Sequence, residues 1–357
     1  MPPYWAIGVG AGLAGALLFL TAGVGSPILG LPLFFAALPV FLAGLGWGSR
    51  SALIASVTGF VVLSSTSSFT AGLVFLVADG LAVAWLVHLA LLHHTETAPR
   101  LTPADAARLA RKGETAEAET AAPEEDKESK EPAVTEWYPA GALAVWTALI
   151  AVGVLVVSGL STMAMGVEGG LEGALRILLA EDLIEGRAIE AGLRELGLSA
   201  DPERILSLIV IALPAFVVMA WSLLTLGNMW LAQVILERSG HNLRPTPTLL
   251  DIEYPPFLLA LFLSALILSL IPGSAAQLGG AIMIALLVPY FLLGLAVIHA
   301  ISRAWTARIA LLGVFYVLLI FTGWLIVPVC LIGLAEPWAA LRARFAQSEA
   351  PTGKEIS

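Results

Sequence analysis

Residues Ala276–Ile301 read AQLGGAIMIALLVPYFLLGLAVIHAI, a run without one Asp, Glu, Lys or Arg. Wound into an α-helix it extends about 39 Å, more than the roughly 30 Å of hydrocarbon in a bilayer. A stretch this long and this apolar reads as a membrane span. Working outward, runs of the same kind occupy roughly 5–24, 27–47, 51–67, 69–93, 139–164, 204–236, 256–272 and 307–336. The first lacks a preceding Lys or Arg, and no polar mature domain follows a small-residue cleavage site, so it reads as a retained helix and not a signal peptide. The last is long for one crossing and carries Gly323 and Pro328 near its middle, so it fits either one tilted helix or a tight helical hairpin.

The composition agrees. Of 357 residues 58% are hydrophobic and 13% charged, against about a quarter charged in soluble domains, and the mean hydropathy is +0.90. The expected fold is all-α: a polytopic transmembrane helical bundle of eight to ten spans. The net charge of −9 does not point to a basic partner, because 11 of the 27 acids lie between Glu96 and Glu136 and nine more between Glu168 and Glu203.

Those two acidic stretches organise the chain. Residues 1–94 form a membrane region of four helices. Residues 95–137 are an acidic cytoplasmic linker, rich in Glu, Ala, Lys, Thr and Pro and expected to be mostly disordered, with a short helix capped at Thr102 and Pro103 at its start. Residues 138–345 form a second membrane region, and 346–357 a cytoplasmic tail. Within the second region, 166–203 alternates leucines and charges at helical steps, with Glu172–Arg176 and Glu190–Arg194 at i,i+4. It reads as two amphipathic helices on the outer surface. Asp201 then caps the next helix, Pro202 takes its first position and Gly240 ends it.

Lys and Arg favour cytoplasmic loops. Arg50, the Arg100–Lys112 group, Arg238, Arg244, Arg303 and Arg308 share one face if the N-terminus is cytoplasmic, whereas the loops near Gly25, Ser67 and Pro272 carry no base. Arg342 and Arg344 join that face only if 307–336 turns back on itself, giving ten crossings. The expected location is therefore the inner membrane of a bacterium, multi-pass, with the N-terminus cytoplasmic.

Three sequence features carry a resemblance. Gly8, Gly12 and Ala16 form a small-residue stripe that lets helix backbones approach closely in lipid. Leu31–Pro39 reads LPLFFAALP and Gly44–Leu53 reads GLGWGSRSAL. Over the first hundred residues the arrangement resembles the substrate-binding subunits of energy-coupling-factor transporters, which implies that the stripe docks on a transmembrane coupling subunit served by an ATPase. The whole chain, with its ending Gly333–Arg344, GLAEPWAALRAR, looks like the YybS-like family of bacterial multi-pass membrane proteins.

Candidate functional residues are few. Asp79 lies near the middle of the fourth run, where a carboxylate is costly unless protonated, paired or facing a cavity. It reads as a ligand- or proton-binding group facing the bundle interior, or as a protonated side chain bonded to the neighbouring helix. Ser64, Ser65, Thr66, Ser67, Ser68 and Thr70 place hydroxyls at the outer end of the third and fourth runs, either as the lip of an outward-facing pocket or as a polar turn. Asn228, Gln233 and Gln277 can bond across helices. His88, His93 and His94 lack a nearby acid at ligand spacing, so no metal site is expected. The loop from Glu237 to Pro256, with its prolines and mixed charges, reads as a dock for a cytoplasmic partner or as a self-paired turn.

The sequence contains no His-Glu-x-x-His, Gly-x-Ser-x-Gly or Walker lysine loop. No catalytic residue, cofactor or nucleic-acid partner is expected, and any ATP-driven role requires a separate ATPase. Two functions fit: capture or transport of a small molecule together with a coupling module, or a scaffold that holds other proteins at the membrane.

Overall fold

The computed structural model describes residues 3–23, 30–96, 134–180, 188–195, 197, 201–248, 252–342 and 344. Most of the acidic linker, the short helix expected after Thr102 and the tail beyond Arg344 lie outside these residues.

The described chain is almost entirely helical. The N-terminal part holds α1 (Tyr4–Leu20), α2 (Leu38–Trp47, entered through a 3-10 turn at Leu31–Phe35), α3 (Ser49–Thr66) and α4 (Phe69–Ala90). The second part holds α5 (Ala140–Ala164), α6 (Gly170–Ala180), α7 (Ala188–Glu195), α8 (Pro202–Ser239), α9 (Phe257–Ser269), α10 (Ser274–Ile301), α11 (Arg308–Thr322) and α12 (Ile326–Ala339). Between the parts, β1 (His93–Glu96) pairs antiparallel with β2 (Val134–Trp137), His93 opposite Trp137. This ribbon stands at both ends of the expected linker, where the sequence carries no strand signal. Its pairing is reinforced by the His93 and Trp137 rings, 4.9 Å apart.

Among the described residues four helices, α4, α5, α8 and α10, are long and apolar enough to cross a membrane; α11 and α12 together make a fifth candidate, while α1, α2 and α9 are apolar but shorter. The described residues thus hold four or five candidate spans plus shorter apolar helices, fewer than the eight to ten crossings expected from the sequence.

Helix boundaries follow local chemistry. Asp201 Oδ1 accepts from the Glu203 amide at 3.1 Å at the start of α8, and Gly240 closes it in the left-handed conformation. At 38 residues α8 is about 57 Å long, well beyond one bilayer. Its first turns therefore stand beyond the shorter helices, and α6 and α7 pack on them: Leu175, Leu179 and Leu193 gather around Leu206 and Val210. Arg176 pairs with Glu203 at 2.7 Å and with Ser207 at 3.1 Å instead of with Glu172, because these tertiary partners lie along the side of α8 that α6 faces.

The stripe expected to meet a transmembrane partner is covered by α3 of the same chain. A Cβ on Gly8 would fall 2.7 Å from the Ser51 carbonyl, and one on Gly12 would overlap the Ala55 carbonyl; Ala16 is fully buried. Beyond α1–α4, the core beneath takes in Leu143 of α5 and Met229, Ala232 and Leu236 of α8, so both membrane regions share it.

The 307–336 run breaks at Gly323, whose φ of +64° suits a residue without a side chain, and the chain bends by 117° between α11 and α12. Pro328 falls in the first turn of α12, where it is tolerated. Contacts climb in the same direction along α10 and α12: Cys330 lies at Leu287, Gly333 at Tyr290 and Gly294. Since α10 and α12 run parallel, the intervening α11 carries the chain back toward the other end. Arg342 then donates to the Ile252 carbonyl at 3.0 Å and pairs with the buried Glu336 at 2.9 Å. The basic tail thus lies at the end of the bundle that holds the Arg244 loop.

Candidate functional site

At the opposite end from Arg244 and Arg342, α5, α6, α8 and α10, with Leu268 of α9, enclose a cavity of about 270 Å³. The last turns of α5 supply Leu155, Leu160 and Met163; α8 supplies Val210 and Pro214; α10 supplies Leu278. Pro214 lies inside α8, where its ring removes one backbone hydrogen bond. Gly159 also lines the cavity, and a Cβ there would meet nothing within 4 Å.

Among the described residues the cavity walls are apolar except for Glu172, Gln277 and Ser274. Glu172, in the first turn of α6, accepts a hydrogen bond from the Gln277 side-chain amide of α10, and both residues line the cavity. Gly169 and Gly170, both at positive φ, deliver α6 to this position. A second, wholly apolar cavity of about 200 Å³ lies among α8, α10 and α12, with Cys330 on its wall.

A profile for predicted membrane proteins, DUF2232, matches residues 127–336, more than half of the chain. The chain belongs to the DUF2232 family of predicted membrane proteins. Both cavities lie within the DUF2232 segment, whereas α1–α4 precede it. Among curated proteins and among solved structures, none matches the chain, and the likeness of its first hundred residues to transporter substrate subunits finds no counterpart there.

The residues singled out in the sequence are dispersed. Asp79 sits in a π-helical turn, Leu76–Leu81, within α4, a distortion that often marks functional positions. Its half-buried side chain makes no hydrogen bond or ion pair with the described residues, and it lines neither cavity described above. The hydroxyls of Ser65 and Thr66 return to carbonyls of their own helix, and Ser68 caps α4 by accepting from the Ala71 amide at 3.0 Å. Ser64 Oγ is buried against Gly72 without a hydrogen-bond partner among the described residues, and Ser67 and Thr70 are exposed.

The intramembrane amides differ from one another. Asn228 donates to the Phe34 carbonyl at 2.8 Å and so joins α8 to the entry of α2. Gln233 is buried, with neither amide atom bonded among the described residues. Gln277 is the one that reaches a cavity. Sequence reading placed it inside a span but missed Glu172, which looked like an exposed helical charge; the missing signal was the tertiary approach of α6 to α10.

At the basic end, the loop after α8 is held by the chain itself. His241 stacks on Trp47 with ring centroids 5.6 Å apart, and the Leu243 amide donates to the Leu45 carbonyl at 3.4 Å. Arg244 is 6% exposed, and its guanidinium donates to the Ala90 and Tyr138 carbonyls at 3.0 and 2.8 Å. Burial lowers the pKa of this group. Among the described residues no cluster of His, Cys, Asp and Glu could hold a metal.

Proposed function

We propose that this DUF2232 protein is a multi-pass inner-membrane protein that captures a small, largely apolar molecule in the cavity between α5, α6, α8 and α10. The observation that carries the reading is the cavity's make-up: largely apolar walls with a few polar groups, the hydrogen-bonded pair Glu172 and Gln277 and the hydroxyl of Ser274, the usual plan of a small-molecule site. The clustering of bases at the Arg244 end favours that end as cytoplasmic, so the cavity opens to the outer side or outer leaflet. Capture followed by transport would need a separate coupling module. Since Gly8, Gly12 and Ala16 are already covered by α3, such a module would dock elsewhere.

Native mass spectrometry of the full-length chain, released from neutral detergent, tests this. A retained small-molecule adduct is expected, lost in Gly159→Phe, whose ring fills the open space beside α5, and kept in Asp79→Asn. An adduct that survives Gly159→Phe in a monodisperse protein, or none in the unmodified chain, counts against capture in this cavity.

A further inference from the structure

The class of molecule follows from the electrostatics of the cavity, given the capture reading. Among the described residues Glu172 is the one ionisable side chain lining it. Its hydrogen-bond partner Gln277 is a neutral amide. The base one turn along α6, Arg176, is held by Glu203 and Ser207, and among the described residues no cation pairs with Glu172. A half-buried carboxylate at an apolar wall, oriented by an amide but lacking a counter-charge, is stabilised by an arriving cation more than the same group in open water, because the surrounding dielectric is lower. The wider field agrees: the described residues between 168 and 204 include six acids, Glu168, Glu172, Glu190, Glu195, Asp201 and Glu203, against three bases, Arg176, Arg194 and Arg204, so this end of the bundle draws cations more than anions.

The apolar walls set the second requirement. An ion without a hydrophobic body would leave Leu160, Val210, Pro214 and Leu278 unused. At about 270 Å³ the cavity falls just below the span of drug-sized sites, roughly 300–1,000 Å³, which excludes a complete two-chain lipid. We infer that the occupant is a hydrophobic amine, a short apolar chain or ring bearing one ammonium group that Glu172 pairs.

Three ten-carbon probes separate the possibilities: decylammonium, decanol and decanoate, titrated against the full-length protein in neutral maltoside with the thermal unfolding midpoint as readout. Decylammonium is expected to raise the midpoint saturably, more weakly as salt increases, and decanoate to have no effect. Glu172→Gln, which keeps the shape and a hydrogen bond to Gln277, should weaken decylammonium at least tenfold and leave decanol unchanged. Gly159→Phe should abolish both. If all three probes act alike, and Glu172→Gln changes nothing while Gly159→Phe still blocks them, the amine class is overturned and capture stands. If no probe acts on the unmodified protein, capture and the amine both fall.

Discussion

Arg244 Nη1 donates to the Ala90 carbonyl at 3.0 Å, joining residues 154 positions apart. Ala90 is the last residue of α4, where unpaired carbonyls and the helix dipole favour a cation; the second donor reaches Tyr138, just ahead of α5. One guanidinium therefore fastens the N-terminal helices to the DUF2232 segment. Arg244→Met should destabilise the protein by about 1–3 kcal/mol, the usual effect of losing charge-assisted bonds. Arg244→Lys should recover only part of this, because a point ammonium cannot span both carbonyls as the planar fork does. Thermal unfolding in detergent checks the ranking, and a midpoint for Arg244→Met equal to that of the unmodified chain would refute it.

Gly294 and Gly333 form the crossing of α10 and α12. A Cβ on either would overlap a backbone carbonyl of the facing helix, that of Val329 or Tyr290. Gly333→Ala should cost about 1–3 kcal/mol through overpacking, and Gly333→Val more. Gly313, on α11, has open space around its Cβ position, so Gly313→Ala should be neutral or mildly stabilising. Equal unfolding midpoints for Gly333→Ala and Gly313→Ala would contradict the crossing.

Tyr254 has a buried hydroxyl with no hydrogen-bond partner among the described residues, and burial raises its pKa well above the ordinary 10.0, against a smaller opposing effect of Arg342. The folded state thus holds the proton after the unfolded chain has released it. The stability linked to this proton is complete below pH 10 and declines as pH rises above it. Tyr254→Phe should remove that component and leave the midpoint at pH 7 unchanged or higher, since an unsatisfied buried hydroxyl is lost. Unfolding midpoints compared between pH 8 and 11 test this; parallel curves for the two proteins would argue against it.

The parallel course of α10 and α12 makes a prediction about sidedness. In a Cys330→Ser background, Ser239→Cys and Arg344→Cys should react with an impermeant maleimide only after the inner face is opened. Glu190→Cys, beside the outer turns of α8, should react in intact cells. Labelling of Arg344→Cys together with Glu190→Cys would reverse the assignment of the tail.

The membrane class, most helix limits, the Asp201 and Gly240 caps and the break at Gly323 were legible in the chain itself. Each depends on residues within a few positions of one another: desolvation of a local run, a cap, a glycine that accepts positive φ. The β-ribbon, the covering of the Gly8–Gly12–Ala16 stripe by α3 and the pairing of Arg176 with Glu203 were not. The same holds for the cavity. Gln277 was visible as a polar residue in a span, but its partner Glu172 lies 105 positions away, and Arg244 reaches Ala90 across an even longer interval. In lipid no hydrophobic force selects which apolar helix faces meet, so neighbours are chosen by shape and by scattered polar contacts. Those depend on the rotation and tilt of every helix in the bundle, which only the tertiary structure decided.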